Sequence, residues 1–395
     1  MKSVLPKGVI LHRRYSVGHV LGSGGFGITY AAFDLAGREW TAVKEYFPGE
    51  WAVRMPQGNQ IVPESPEKGR FYEHGMKTFY DEAERLINLQ NIPDVVKAKD
   101  FFPENGTVYL VMELLKGYTL RDYMRYRGIK AMSPEEAGRI IKAAGMALIQ
   151  VHGYGYLHRD VGPDNIMLTN AGRICLIDFG ATRVYALNSA KSMSVLVKPG
   201  FAPIEQYSRS GKQGPWTDVY ALAATYYFMV TGEKPPGAPE RIAGARVAPL
   251  DVKVPGIPGY ISRAVERALS EDWRNRPRSV CDFLGEMGLL RRAHVRLQAG
   301  GRDTSYYFMP DDSLSIGREA GKSNVVLHDS QVSALHCKIW YDEGEDRFLL
   351  ANYSGNYTYT SRGILHKGQS IWLIHKDWFY IQTKHARYIF YPEVR

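Results

Sequence analysis

Three oxygen-bearing side chains fall in two short stretches. Asp160 and Asn165 lie in His158-Arg159-Asp160-Val161-Gly162-Pro163-Asp164-Asn165, and Asp178 lies in Ile177-Asp178-Phe179-Gly180. A carboxylate able to orient a hydroxyl, followed by an amide and a second carboxylate able to hold a divalent metal, is equipment for moving a phosphoryl group. Upstream, Gly22-Ser23-Gly24-Gly25-Phe26-Gly27 fits G-x-G-x-x-G. Glycines let a backbone approach phosphates and take up conformations that other residues resist. A dinucleotide-binding fold uses the same spacing, but there a helix follows at once. Here a second β-favouring run follows, and a third ends near Ala42-Val43-Lys44, putting an ammonium on a strand behind the glycines.

The elements that must position these groups are legible in outline. Residues 15–21, 29–33 and 40–46 read as strands separated by turn residues, and 95–102 and 107–114 as two more around Pro103-Glu104-Asn105-Gly106. Residues 48–75 are rich in Pro, Gly, Gln and Asn, which predicts an irregular insertion. Helical spacing begins near Met76, with Phe79, Ala83, Leu86, Ile87 and Gln90 on one side. Ser133-Pro134-Glu135-Glu136 is a helix start, opening a helix to about His152, and 218–231 and 260–269 read as later helices. From about residue 305 short strands return, at 314–316, 324–327, 337–341, 348–351 and 378–382, a pattern that suggests a sandwich.

Over roughly residues 10–290 these motifs resemble the eukaryotic-like serine/threonine protein kinases, and the order glycine loop, strand lysine, catalytic loop and metal-binding turn carries the resemblance. The resemblance implies an α+β bilobal kinase fold, with an N-lobe over about 1–115 and a C-lobe over about 116–290. It implies ATP as phosphoryl donor and magnesium, with manganese the alternative ion. Lys44 would hold the nucleotide phosphates and pair with a helix glutamate, Glu82, with Glu84 as runner-up. Asp160 would be the catalytic base, and Asn165 and Asp178 the metal ligands. Gly22, Ser23, Gly24, Gly25, Phe26, Gly27 and Ala42 would line the nucleotide site. Met112 would be the gatekeeper, with backbone groups of Glu113 and Leu115 bonding adenine. Glu205 in Ala202-Pro203-Ile204-Glu205 would pair with Arg276, and Asp218 would brace the catalytic loop.

Two positions depart from that pattern. The family usually carries a lysine two residues after the catalytic aspartate, where this chain has Gly162. It usually has a threonine before the Pro-Gly preceding Ala-Pro-Glu, where this chain has Lys198. An ammonium on a flexible stem can act as a point charge, so Lys198 is expected to reach into the space that Gly162 opens. Arg159, beside the catalytic aspartate, implies an activation-loop phosphate. Thr182, Ser189, Ser192 and Ser194 are the candidate sites, with autophosphorylation expected within 189–194. A pseudokinase scaffold and a kinase of small molecules are the competing readings.

Residues from about 303 to 395, behind a linker expected at 291–302, resemble a forkhead-associated (FHA) domain, an all-β sandwich that binds phosphothreonine peptides. The matching pieces are Ile316-Gly317-Arg318, Val332-Ser333-Ala334-Leu335-His336 and Ser354-Gly355-Asn356-Tyr357-Thr358. Arg318 would face the phosphate, Ser333 would donate a hydroxyl and Asn356 would bond the peptide backbone, while His336 would brace the loop. Tyr357 stands where the family usually has glycine. The partners implied are a protein substrate and a phosphothreonine-containing protein.

Composition narrows the alternatives. The chain has 395 residues, 45% hydrophobic and 23% charged, as in an ordinary globular protein of two domains. The formal charge of +9 shows no lysine run interleaved with aromatics, so no nucleic-acid partner is expected. Cys175, Cys281 and Cys337 are far apart and odd in number, which excludes a disulfide framework and metal-ligand spacing. The most apolar stretch, 221–230, is too short to span a membrane, and no signal peptide is evident. A cytoplasmic location is the expectation, and the loop sequences suggest a bacterial branch.

Overall fold

The computed structural model describes residues 4–179, 198–208, 211–290, 293–308, 313–342 and 344–394. The chain divides into two compact units, Met1–Leu289 and Leu290–Arg395.

The first unit begins with β1 (Ile10–Leu11), β2 (Tyr15–Ser23), β3 (Gly27–Asp34) and β4 (Glu39–Tyr46). There follow a hairpin of β5 (Ala52–Arg54) and β6 (Ile61–Pro63), the helix α1 (Pro66–Asn88), and β7 (Ala98–Glu104) and β8 (Thr107–Glu113). Six of these strands form one antiparallel sheet in the order β1-β2-β3-β4-β8-β7. Side chains alternate across a strand, so neighbouring residues of β4 serve opposite faces. Tyr46 stacks against Tyr72 and Phe79 of α1, and Lys44, two residues away, shares that face. Glu45 faces the other way into a buried cluster, accepting hydrogen bonds from Tyr30 Oη at 3.0 Å, Tyr109 Oη at 2.8 Å and the Arg54 guanidinium at 2.5 Å.

That cluster corrects the expectation of an irregular insertion at 48–75. Arg54 is buried and paired, which pins the β5–β6 hairpin to the sheet. The helix starts at Pro66, ten residues before Met76, because Ser65-Pro66-Glu67 supplies a helix start with proline in the first turn and an early acid. Its buried positions, Tyr72, Gly75, Phe79, Glu82, Ala83 and Leu86, recur at three and four. A Cβ at Gly75 would lie 2.1 Å from the Tyr46 hydroxyl, so glycine is what allows α1 to sit this close to β4. The strand expected from residue 95 begins at Ala98.

The rest of this unit is mostly helical: β9 (Gly117–Thr119), α2 (Leu120–Tyr126), α3 (Pro134–Gly153), β10 (Ile166–Thr169), β11 (Ile174–Leu176), α4 (Pro215–Thr231), α5 (Ala238–Ile242), α6 (Leu250–Lys253), α7 (Gly259–Ala268) and α8 (Val280–Glu286). Ser133 caps α3 by accepting from Glu136 N at 3.2 Å. The helix α4 is buried nearly all round and forms the centre of this part.

The second unit contains β12 (Ala293–Ala299), β13 (Arg302–Tyr307), β14 (Ser313–Gly317), β15 (Val325–Val326), β16 (Cys337–Asp342) and β17 (Arg347–Asn352). It continues with β18 (Thr358–Thr360), β19 (Gly363–Leu365), β20 (Ser370–Leu373), β21 (Phe379–Gln382) and β22 (Arg387–Val394). Two sheets, β13-β12-β22-β21-β18-β19 and β15-β14-β16-β17-β20, enclose a core that includes Val295, Ile316, Ile339, Phe348, Phe379 and Phe390. Each of the five strands expected from sequence coincides with an observed one. The linker expected at 291–302 is corrected: β12 pairs with both β13 and β22, and buries His294, Val295 and Leu297. Ala293-His294-Val295-Arg296-Leu297-Gln298-Ala299 alternates apolar and polar residues, which was the available strand signal.

Candidate active site

Lys44 Nζ donates to Asp178 Oδ1 at 2.8 Å and lies 3.9 Å from Glu82 Oε1. The helix glutamate that meets Lys44 is therefore Glu82, a residue only 1% exposed. Burial pushes that carboxyl up to about 7, against the pull of Lys44. Burial also works against the charges of Lys44 and Asp178. The pair overcomes it, holding the lysine above and the aspartate below their ordinary values.

Asp160 and Asn165 meet directly. Asn165 Nδ2 donates to Asp160 Oδ2 at 2.5 Å and to the Asp160 carbonyl at 2.7 Å, and both residues are buried. The loop that carries them is braced from α4. The buried Asp218 carboxylate accepts from His158 N at 2.9 Å and Arg159 N at 2.7 Å, and meets His152 Nε2 at 2.8 Å. The His158 ring packs on Phe179, with centroids 4.4 Å apart. Arg159 and Asp178 take up left-handed backbone conformations, with φ of 65° and 56°. Such strain in non-glycine residues persists only where the surroundings enforce it, and it clusters at functional sites. Glu205 and Arg276 form the expected buried pair at 2.7 Å, and Thr217 Oγ1 donates to the same carboxylate.

Lys198 Nζ lies 3.5 Å from Asp160 Oδ2 and 3.5 Å from Asp164 Oδ2. Asp164 also takes a bond from Arg121 Nε at 2.6 Å. Asp164 had no role assigned from sequence, although its place beside Asn165 in the loop was an available signal.

A cleft of about 340 Å³ is lined by Gly22, Ala42, Met112, Glu113, Leu115 and Asp178 among others. Ser23, Gly24, Gly25, Phe26, Gly27 and Lys44 are not part of that lining. A Cβ on Gly22, Gly24 or Gly25 would meet nothing, so packing within the protein does not require glycine there. At Gly27 it would meet the Glu45 carbonyl at 2.5 Å, so that glycine serves the β3–β4 contact. The Glu113 carboxylate turns to Arg173 at 3.1 Å, and its backbone N–H donates to Lys97 O.

The donor set suits a hard cation. Asn165 spends its amide N–H on Asp160, which frees its carbonyl oxygen, and Asp178 stays ionised. Two protein oxygens are what magnesium takes when phosphates and water complete its shell. Among the described residues no group of three His, Cys, Asp or Glu side chains could hold a metal alone. The candidate phosphosites Thr182, Ser189, Ser192 and Ser194 lie outside the described residues.

In the second unit the three motif pieces converge. Arg318 N donates to Ser333 O at 2.9 Å and its Nε to Val332 O at 3.1 Å. The Ser333 and Ser354 hydroxyls share a hydrogen bond of 2.6 Å, and Asn356 Nδ2 donates to Gln331 O at 3.1 Å. A Cβ at Gly317 would come within 2.3 Å of Ala334 O, so glycine is needed for these loops to meet. Buried His336 accepts through its carbonyl from Tyr353 N and Ser354 N, and burial lowers its imidazole to about 4, so it braces the loop uncharged. Tyr357 is not among the residues with positive φ, so the backbone here does not use the freedom a glycine would give.

Comparison with known proteins identifies the family of each unit. A family model of the protein kinase domain matches residues 15–287, and one of the FHA domain matches 314–382. The chain is 25% identical over 279 residues to the probable serine/threonine-protein kinase PknB of Bifidobacterium longum, covering 68% of this chain and 38% of that protein. It is 31% identical over 237 residues to the serine/threonine-protein kinase PknA of Nostoc, covering 57% of this chain and 38% of that one. The chain thus spans about two-fifths or less of the length of the curated relatives it matches. Among solved structures, "PpkA-294 apo form" superposes with a TM-score of 0.64 at 31% identity, covering 72% of this chain and 99% of that one. No helix among the described residues is long and apolar enough to cross a membrane. The chain belongs to the protein kinase family, and it carries an FHA domain behind the kinase domain.

Proposed function

We propose that this chain is an ATP-dependent serine/threonine protein kinase whose FHA unit recognises phosphothreonine on a substrate or adaptor protein. The observation that carries the reading is the convergence of Lys44, Glu82 and Asp178 beside the Asp160–Asn165 pair. In this reading Lys44, steadied by Glu82, grips the nucleotide phosphates. Asp160 orients the substrate hydroxyl and takes its proton as the oxygen bonds the γ-phosphorus. The bond from that phosphorus to the β–γ bridging oxygen breaks, and its electron pair leaves with ADP. Asn165 and Asp178 would hold magnesium, which supplies charge neutralisation at the phosphate oxygens. In the second unit Arg318 is exposed beside the Ser333 hydroxyl, a suitable pairing for a phosphate.

Incubation with γ-labelled ATP, magnesium and a protein mixture tests the enzymatic part. Label should appear on serine and threonine of protein. Nucleotide binding without transfer would make the chain a scaffold, and label on small molecules alone would give it a different substrate class.

A further inference from the structure

We propose that Lys198, carried by the segment that follows the metal-binding turn, supplies positive charge to the transferring phosphoryl group through the space left open at Gly162. This rests on the kinase reading and assigns one more group to the same site.

The geometry begins with a vacancy. Gly162 is buried in the catalytic loop, yet a Cβ built there meets nothing within 4 Å. Nor is its φ positive, so the backbone does not call for glycine. What the residue provides is room beside Asp160. Lys198 points its ammonium toward this part of the loop, 3.5 Å from the carboxylates of both Asp160 and Asp164. A tight charge-assisted bond is about 2.7–2.9 Å, so the ammonium is shared between two acids and locked to neither. It can therefore turn toward a phosphoryl group whose charge grows during transfer, and charge that grows in the transition state is where a placed cation accelerates a reaction.

The surroundings fix the base of Lys198, while its tip meets the two carboxylates. Its carbonyl accepts from Phe201 N at 3.0 Å and Ala202 N at 3.1 Å, closing a turn. Gly200 takes φ of 93°, and a Cβ there would lie 2.6 Å from Pro235 O, so the turn sits hard against the helical part of the unit. Two ammoniums thus reach the site from opposite walls: Lys44 from the sheet and Lys198 from the far segment. A lysine at position 162 would sit on a loop already braced by Asp218. Lys198 instead brings its charge from outside that loop.

The test compares the wild type, Lys198→Ala, and the double variant Gly162→Lys/Lys198→Ala, each checked for an unchanged melting profile. Two readouts are taken: turnover, and affinity for ADP with magnesium in the presence and absence of aluminium fluoride, which mimics the transferring phosphoryl. Lys198→Ala should lower kcat about 100-fold, the scale for loss of one transition-state charge partner, with the KM for ATP within about threefold. It should lower the extra affinity gained from aluminium fluoride by at least about tenfold, leaving ADP affinity unchanged. The double variant should recover most of both losses. Retention of the fluoride-dependent affinity in Lys198→Ala overturns the proposal, as does no recovery in the double variant. A wild type that transfers no phosphate would instead overturn the kinase reading, so the two failures are distinguishable.

Discussion

The Lys44 ammonium is divided unequally between two acids, with Asp178 at 2.8 Å and Glu82 at 3.9 Å. Asp178 is one of the two residues that would hold magnesium, so in this state the lysine occupies a carboxylate that the metal would claim. Metal and nucleotide together would release Lys44 toward Glu82 and the phosphates. The buried glutamate carboxyl, with no hydrogen-bond partner among the described residues, is placed to receive it.

A pH dependence follows from that placement. Burial raises the Glu82 carboxyl to about 7, so in the folded protein it gains a proton at a pH where the unfolded chain, near 4.5, does not. Its contribution to stability is therefore full below the unfolded value and is lost as pH rises through about 7. Pairing with Lys44 needs the ionised form and runs the opposite way. Turnover should fall on the acid side with an apparent pKa near 7, and Glu82→Gln should remove that limb while lowering kcat. An acid limb that survives in Glu82→Gln assigns the titration to another group.

Helix position is expected to control the same pair. Gly75→Ala places a methyl 2.1 Å from the Tyr46 hydroxyl, which forces α1 away from β4 and displaces Glu82. Overpacking of this kind costs about 1–3 kcal/mol. A loss of kcat/KM of tenfold or more is expected. Tyr46→Phe in the same chain removes the clashing oxygen and should restore part of the activity. If Gly75→Ala has wild-type kinetics, α1 does not depend on this contact.

Phosphopeptide binding should be separable from phosphoryl transfer. Arg318→Ala should weaken binding of a phosphothreonine peptide at least 100-fold, given about 1.5–3 kcal/mol for a charged hydrogen bond and more for a forked one. Its turnover on a short peptide should stay at the wild-type level. Tyr357→Gly should leave peptide affinity within a few fold, because the tyrosine backbone is not strained. Isothermal titration with phosphorylated and plain peptides reads both, and equal affinity for the two peptides would remove the phosphothreonine assignment.

Much of the kinase unit could be read in the sequence because its chemistry is concentrated in short motifs. Lys44, Glu82, Asp160, Asn165 and Asp178 gather as the motif order implied, and Glu205 meets Arg276 across the chain. What stayed hidden depended on tertiary partners. Arg54 looks like a surface residue until Glu45, itself bonded by Tyr30 and Tyr109, pairs with it in the core. The early start of α1 was written in Ser65-Pro66-Glu67, but the composition around it argued for a loop. The apolar positions of β12, Ala293, Val295 and Leu297, become core only through its pairing with β13 and β22, which no local motif announces. The contact of Lys198 with Asp164 required two segments with no motif in common.

Phosphoryl transfer governed by Asp160 is the step from which the other roles at this site follow. Single-turnover mixing of the purified chain with γ-labelled ATP, magnesium and a serine/threonine peptide, run beside Asp160→Asn, measures it. The wild type should label the peptide on hydroxyl side chains. The variant should bind nucleotide with similar affinity and transfer at least 1,000-fold more slowly, about 4 kcal/mol of barrier. Equal transfer by the two proteins, or none by the wild type, would contradict it.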